Sequence, residues 1–298
     1  MEMIHYSNCP LCQSDKLQPV FSVKDYTVSA ENFMLLKCGY CTLVFTQDIP
    51  GQQNIAAYYA SQNYISHSNT QKGFINQLYH RVRTITLTAK RKMIVSQTGI
   101  RQGKILDVGC GTGAFLNEMK TAGWDITGLE PDDVARKNAV ELFDIHSLSS
   151  TEIFNLPANS FNAITMWHVL EHVHQLHEYV EQLKKLLTED GRLFIAVPNY
   201  TSYDAAYYKA HWAAYDVPRH LYHFSPQSMK SLMQQHGLQV IETNPMWFDS
   251  FYVSLLSEQY KNGKGNSIKA FLIGLVSNVK ALFDGESCSS VIYIIKKK

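Results

Sequence analysis

One stretch limits the fold of this chain more than any other. Lys104-Ile-Leu-Asp-Val-Gly-Cys-Gly-Thr-Gly-Ala-Phe-Leu116 joins a short apolar run, an acid near its end, three alternating glycines and the start of a helical pattern. It reads as strand, tight turn and helix. Gly109, Gly111 and Gly113 allow positive φ and close approach of backbone to a ligand, and the N–H groups opening a helix at Ala114 face polar or anionic groups. The stretch is a candidate cofactor cradle.

The spacing Gly109, Gly111, Ala114 also satisfies the dinucleotide fingerprint, with Glu130 about where a ribose-binding acid belongs, so the glycines leave two cofactor classes open. Asp107 separates them. An acid two residues before the first glycine would repel a pyrophosphate but suits the ammonium of a methionine moiety. Here the sequence resembles motif I of the class I S-adenosylmethionine-dependent methyltransferases, in which an acid precedes G-x-G-x-G, and Asp107-Val-Gly-Cys-Gly-Thr-Gly113 matches without a gap. The resemblance implies cofactor contacts at Asp107, Gly109, Cys110, Gly111, Thr112 and Gly113. Glu130-Pro131 continues it, the carboxylate accepting the ribose hydroxyls and the proline stopping a strand. Ser150 and Thr151 are expected beside the adenine, and Met166 and His168 at the end of the fourth strand.

With 298 residues, a main domain plus an appendage is expected. Lys and Arg number 27 against 26 Asp and Glu, a formal charge of +1, so no global field gathers nucleic acid. The N-terminus lacks a basic region followed by an apolar one, and no uninterrupted apolar run reaches spanning length, so no membrane span and a cytoplasmic location are expected.

Two C-x-x-C pairs, Cys9/Cys12 and Cys38/Cys41, each set two thiols on a tight knuckle. Two knuckles close a tetrahedral thiolate site around one metal, and in a cytosolic chain they argue for metal over disulfides. The expected ion is structural zinc, with rubredoxin-type iron as the alternative. Short strands between the knuckles complete a zinc-ribbon-like module over residues 1–48, which is too small to fold well without its metal.

Residues 49–98 read as a helical linker or lid, with Tyr58, Tyr59 and Tyr64 as packing residues and Phe74, Leu78, Val82, Ile85, Leu87, Met93 and Ile94 at helical spacing. Residues 99–298 then alternate strand and helix. Strands are expected at 104–108, 125–130, 144–148, within 156–166 after a loop, and at 192–198, 238–244 and 289–295. The fold class is α/β: a Rossmann-like, mostly parallel seven-stranded sheet with helices on both faces, ligands at its carboxyl edge, and insertions at about 199–224 and 247–288.

Trp167-His-Val-Leu-Glu-His-Val-His174 resembles a form common in the ubiquinone-methyltransferase-like branch of the superfamily and is expected at the mouth of the cofactor site. The first insertion carries Asp216-x-Pro-Arg-His-Leu-x-His-Phe224, a segment resembling one that recurs in the same branch. His168, Asp216, His220 and His223 are the candidate general bases, and Arg219, Tyr215 and His172 the candidate substrate contacts. Arg219 suits an anionic group, or equally pairs with Asp216 to fix the loop. The apolar stretch 268–283 reads as a core or lid helix, with membrane-surface docking or homodimerisation as alternatives.

The function expected from the resemblance is methyl transfer to a small-molecule acceptor. A metal-binding segment similarly precedes the methyltransferase domain of deoxysugar C-methyltransferases, making a nucleotide sugar or polysaccharide precursor one acceptor class. An RNA methyltransferase is the rival reading, disfavoured by the neutral charge, and a non-catalytic cofactor-binding protein is another.

Overall fold

A computed structural model describes residues 2–59 and 74–298, and side chains for all of these except 74–81. Tyr64 and the side chains of Phe74 and Leu78 lie outside the described residues. The elements are β1 (Met3–Ile4), β2 (Leu17–Lys24), β3 (Asn32–Cys38), β4 (Val44–Thr46), β5 (Ile49–Pro50), α1 (Phe74–Thr98), β6 (Lys104–Val108), α2 (Ala114–Thr121), β7 (Asp125–Leu129) and α3 (Asp133–Phe143). They continue with β8 (Phe161–Trp167), α4 (Leu176–Leu186), β9 (Leu187–Pro198), α5 (Tyr203–Tyr208), β10 (Tyr222–His223), α6 (Pro226–Gln235), β11 (Leu238–Pro245), α7 (Asp249–Asn262), α8 (Ser267–Phe283) and β12 (Ser290–Lys297).

The described residues form two compact units. One takes those of Met1–Tyr64 with His168–Val180 and Ile195–Tyr293; the other takes those of Ile65–Trp167 with Glu181–Phe194 and Ile294–Lys298.

In the second unit, β6 pairs in parallel with both β7 and β8. β6 and β8 are buried along most of their length, while β7 is buried only at Gly128 and Leu129. Ile94 of α1, Phe115 and Met119 of α2, Ile105, Ala163, Phe194 and Ile294 make one core. Ile85, expected on the apolar face of α1, is exposed instead. Asp132 caps α3 by accepting the Val134 N–H at 2.7 Å.

The larger sheet runs β11-β12-β9-β8-β6-β7, six strands where seven are expected from the sequence. The missing one is 144–148. Asp144 closes α3 in the left-handed region at φ 52°, and Leu148 makes a single parallel bridge to Leu129. Ile145 is buried, but Leu148 is exposed, so the segment offers too little apolar surface to hold more of the sheet edge. β9 begins at Leu187, five residues before the expected Arg192, and continues through Asp190-Gly191.

In the first unit, β2 and β3 form an antiparallel hairpin closed by Asp25, whose carboxylate accepts the N–H groups of Thr27, Val28 and Ser29. β4 adds to β3, and β10 adds to β4 through Tyr222↔Phe45 and His223↔Val44, giving the order β10-β4-β3-β2. β10 therefore supplies an edge strand to the sheet of β2, β3 and β4. Trp212, Tyr208 and Tyr215 from the insertion share a core with Val23, Phe33, Leu35 and Val44.

Candidate cofactor site and histidine cluster

The cofactor cradle lies wholly within the second unit. Register pairs Asp107 with Thr165 and with Gly128, and Val108 with Met166 and with Leu129, so these positions share the carboxyl edge of three adjacent parallel strands. Gly109, Gly111 and Gly113 have φ of 71°, 54° and 77°, as the turn requires. Gly113 is also a packing position: a Cβ there would stand 3.3 Å from that of Ala139. Gly109 and Cys110 donate their N–H groups to the carbonyl of Leu129, tying the turn to β7.

Two buried carboxylates flank this turn. Glu130 accepts the Gly111 N–H at 2.8 Å and the Asp132 N–H at 2.9 Å, which aims it across the glycines. Asp107 is 1% exposed, and its Oδ1 accepts the Thr165 hydroxyl at 2.6 Å. Burial pushes the Asp107 carboxyl up to about 7; the Thr165 hydroxyl and Lys90 oppose this, and Glu130 adds to it. A buried acid so raised is one whose charge a cationic ligand would restore. Met166 is fully buried beside Val108, while Pro131, Ser150 and Thr151 are more exposed positions following Glu130 and the Leu148 bridge. The donor set fits S-adenosylmethionine: an acid for its ammonium, a second for its ribose hydroxyls, and a turn with no Cβ at Gly109, Gly111 and Gly113 between them.

The four cysteines come together in the first unit. The sulfurs of Cys9 and Cys41, and of Cys12 and Cys38, are each 3.5 Å apart, and all four lie within 4.8 Å of one another. A tetrahedral zinc with bonds of about 2.3 Å needs sulfurs roughly 3.8 Å apart, so the set fits that ion. Gln13 and Thr42 turn in the left-handed region just after each pair, and the Tyr40 N–H points at the Cys38 sulfur at 3.4 Å. With every position taken by sulfur, such a site is structural.

The predicted catalytic and substrate residues also fall in the first unit, and in two settings. In one, Arg219 is fully buried and donates to Asp216 and Asp25, to the Tyr58 carbonyl and to the Thr27 hydroxyl. Of the two roles open to it, the loop-fixing pair with Asp216 is the arrangement seen; its guanidinium meets the chain itself. Tyr215 packs edge-on against Trp212 and His223. His223 lies in β10 with Nε2 3.1 Å from the Thr46 hydroxyl, and burial holds it well below the ordinary imidazole value. Asp216, Tyr215 and His223 are thus built into the seam between insertion and module.

The other setting is a cluster around Glu171. His168 sits in the left-handed region at φ 57°, a strained conformation for this residue. Its Nε2 is 3.0 Å from Asp249 and its Nδ1 3.4 Å from Glu171. Burial disfavours its charge, but the two carboxylates outweigh that and push it up to about 10, so at neutral pH it is an imidazolium. His172 behaves oppositely: burial and neighbouring His220 push it down to about 4. Its Nδ1 is 3.0 Å from the Arg219 carbonyl and that of His220 is 2.8 Å from the Ala214 carbonyl. The Nδ1 of His172 also lies 2.9 Å from the Tyr59 hydroxyl.

Glu171 is fully buried, and His168 is the charged group that meets its carboxylate, at 3.4 Å. Glu171, His172 and His220 can bring ligand atoms within 4.8 Å of one another. The trio can hold a proton or a divalent cation. Asp25, Thr165 and Asp249 are not found by sequence reading, because an acid or hydroxyl that pairs with a residue tens of positions away leaves no local pattern.

Comparison with known proteins agrees with the fold. The family described as "Methyltransferase domain" matches residues 77–243. The ubiquinone biosynthesis O-methyltransferase of Actinobacillus pleuropneumoniae is 37% identical over 114 residues, 35% of this chain and 49% of that protein. That of Nitrosococcus oceani is 28% identical over 184 residues, 57% of this chain and 76% of that protein. The chain thus spans about half the length of the first of these relatives. The solved structure of magnesium protoporphyrin IX methyltransferase from Synechocystis PCC 6803 superposes with a TM-score of 0.50 at 12% identity, covering 78% of this chain and 90% of that one. With the family profile spanning more than half of the sequence, from within α1 to β11, the chain belongs to the class I methyltransferase-domain family.

Proposed function

We propose that this protein transfers the methyl group of S-adenosylmethionine to the oxygen of a small-molecule acceptor. The observation carrying the reading is the pair of buried acids, Asp107 and Glu130, facing one three-glycine turn. When bound, S-adenosylmethionine supplies a sulfonium methyl group for in-line transfer, a reaction governed mostly by alignment. The chain's part is to hold and orient. Asp107 takes the ammonium, Glu130 the ribose hydroxyls, and the Gly109–Gly113 backbone excludes water between them, with Ser150 and Thr151 beside the adenine.

A base is needed where the acceptor hydroxyl must lose its proton. His168, an imidazolium whose two ring nitrogens face Asp249 and Glu171, is not suited to removing one. His220 and His172, in the cluster around Glu171, are the candidates to accept one. An oxygen acceptor is supported by the names of the relatives, which are O-methyltransferases of ubiquinone biosynthesis. The nucleotide-sugar acceptor expected from the cysteine module has no comparable support. The cysteines we read as structural zinc ligands.

The test is release of S-adenosylhomocysteine when the protein is incubated with methyl-labelled S-adenosylmethionine and, in turn, catechol-type phenols, nucleotide sugars and total RNA. Label transferred to a phenol supports the reading. Label confined to RNA supports the rival, and cofactor binding with no transfer to any member supports a non-catalytic protein.

A further inference from the structure

Helix α8 is packed inside out. The residues it buries are small or polar: Ala270, Gly274, Ser277 and Ala281, with Ile273 the exception. Gly274 sits so close to α7 that a Cβ there would stand 3.1 Å from the backbone of Phe251, and Ser277 donates to buried Asp204 at 2.7 Å. The bulky residues face outward. Ile268, Leu282 and Phe283 are 77%, 70% and 88% exposed, and Phe271, Leu272, Leu275, Val276 and Val279 are exposed on the same side. At about 100° per residue these eight positions fill one continuous arc of roughly 140°. Phe248, Tyr252 and Leu255 of the α7 region add exposed apolar surface at helical spacing. A contiguous apolar face of this kind marks an interaction surface.

We propose that α8 docks this protein onto an anionic lipid surface, lying in the plane of the interface with its bulky face in the headgroup layer. The proposal goes beyond the methyl-transfer reading and does not depend on it. Charge identifies the occupant. From Lys261 to Phe283 the chain carries four lysines, Lys261, Lys264, Lys269 and Lys280, and no acid, although the whole chain is nearly neutral at +1. Lys264 lies on the exposed turn before the helix and Lys261 in the last turn of α7, over the Tyr207 ring, while Lys269, which also pairs with Glu258 at 3.3 Å, and Lys280, over the Tyr203 ring, lie along one border of the apolar arc. An apolar face bordered by lysines is the signature of an interfacial helix.

The same features disfavour a second copy. A second copy would present the same lysine-bordered, acid-free segment and offer this face no complementary charge, whereas anionic headgroups do. None of the helices among the described residues is long and apolar enough to cross a membrane.

The experiment is flotation of the full-length protein with vesicles of phosphatidylcholine alone or mixed with phosphatidylglycerol, at low and high salt, with sedimentation velocity in the absence of lipid. The expected result is co-flotation with the mixed vesicles, weakened by salt, and a monomer in solution. The triple variant Ile268→Asp, Leu272→Asp, Leu282→Asp changes only exposed positions and is expected to lose flotation while keeping its circular dichroism spectrum and S-adenosylhomocysteine affinity. Lys261→Gln with Lys264→Gln is expected to weaken binding to mixed vesicles on the order of tenfold while leaving residual binding to phosphatidylcholine unchanged. Flotation retained by the folded triple variant overturns the proposal. So does a wild-type protein that ignores both vesicles, and a dimer abolished by the triple variant assigns the face to a second copy instead.

Discussion

Replacing Asp107 by asparagine separates the cost of the cradle from its use. The side chain keeps its shape and its contact with Thr165 but cannot ionise. In the apoprotein the carboxyl sits at about 7, against an ordinary value of 3.8, chiefly because it is buried. The folded state therefore binds this proton more tightly than the unfolded chain. Stability falls as pH rises between about 4 and 7, by on the order of 4 kcal/mol in total. The amide removes that loss. At pH 8 without ligand, Asp107→Asn should melt higher than wild type by on the order of 5–10 °C, whereas at pH 4 the two should melt alike.

Ligand reverses the order of merit. The ammonium of S-adenosylmethionine meets an ionised carboxylate in the wild type and a neutral amide in the variant, so the variant should bind at least tenfold more weakly, about 1.5–3 kcal/mol for a charge-assisted hydrogen bond. Binding by the wild type at pH 7 should also release a proton, visible as a calorimetric enthalpy that changes with buffer ionisation enthalpy. Scanning fluorimetry across pH with and without ligand reads both effects. A variant that melts lower than wild type at pH 8 without ligand, or binds S-adenosylmethionine equally well, refutes the reasoning.

Elsewhere, Cys9→Ser should bring zinc measured by plasma mass spectrometry well below one ion per chain while leaving S-adenosylhomocysteine affinity intact; full zinc content would contradict the four-thiolate site. Arg219→Met should cost about 3–5 kcal/mol by denaturant unfolding, because it strands buried Asp25. Although burial raises Asp25, Arg219 and backbone N–H groups hold it near 2; its stabilisation is present above about pH 4 and lost as pH falls toward 2, and the variant should lack that acid limb. His168, raised to about 10 by Asp249 and Glu171, stabilises the fold below about pH 6.5 and progressively less as pH approaches 10; an NMR titration of its ring placing it near 6.5 in the wild type would dispose of the ion-pair reading. Gly113→Ala forces a side chain into φ 77° and against Ala139, and should destabilise by about 1–2 kcal/mol in thermal melts.

The parts legible in the sequence are those whose chemistry is local. The strand, three-glycine turn and helix from Lys104 to Thr121 form where their pattern predicts, because turn geometry and apolar periodicity act over a few residues. The two C-x-x-C knuckles likewise meet, since four sulfurs in that spacing have few other ways to be buried. What the sequence hides is long-range pairing. Arg219 reads equally well as an anion receptor, and its buried partner Asp25, 194 positions away, leaves no local trace in the sequence. β10 is two residues long and owes its existence to β4, so no periodicity can announce it. The segment 144–148 has the composition of a strand but sits at a sheet edge with one bridge. The apolar run of α8 reads as core because hydrophobicity reports a preference for leaving water, without saying what replaces the water.

The central claim is that the turn from Asp107 to Gly113, with Glu130, is a site for S-adenosylmethionine. Calorimetric titration of the wild-type protein with S-adenosylmethionine, S-adenosylhomocysteine and NADH tests it directly. The account predicts micromolar binding of both adenosyl ligands at one site per chain and no heat from NADH. Binding of NADH, or of none of the three, would contradict it.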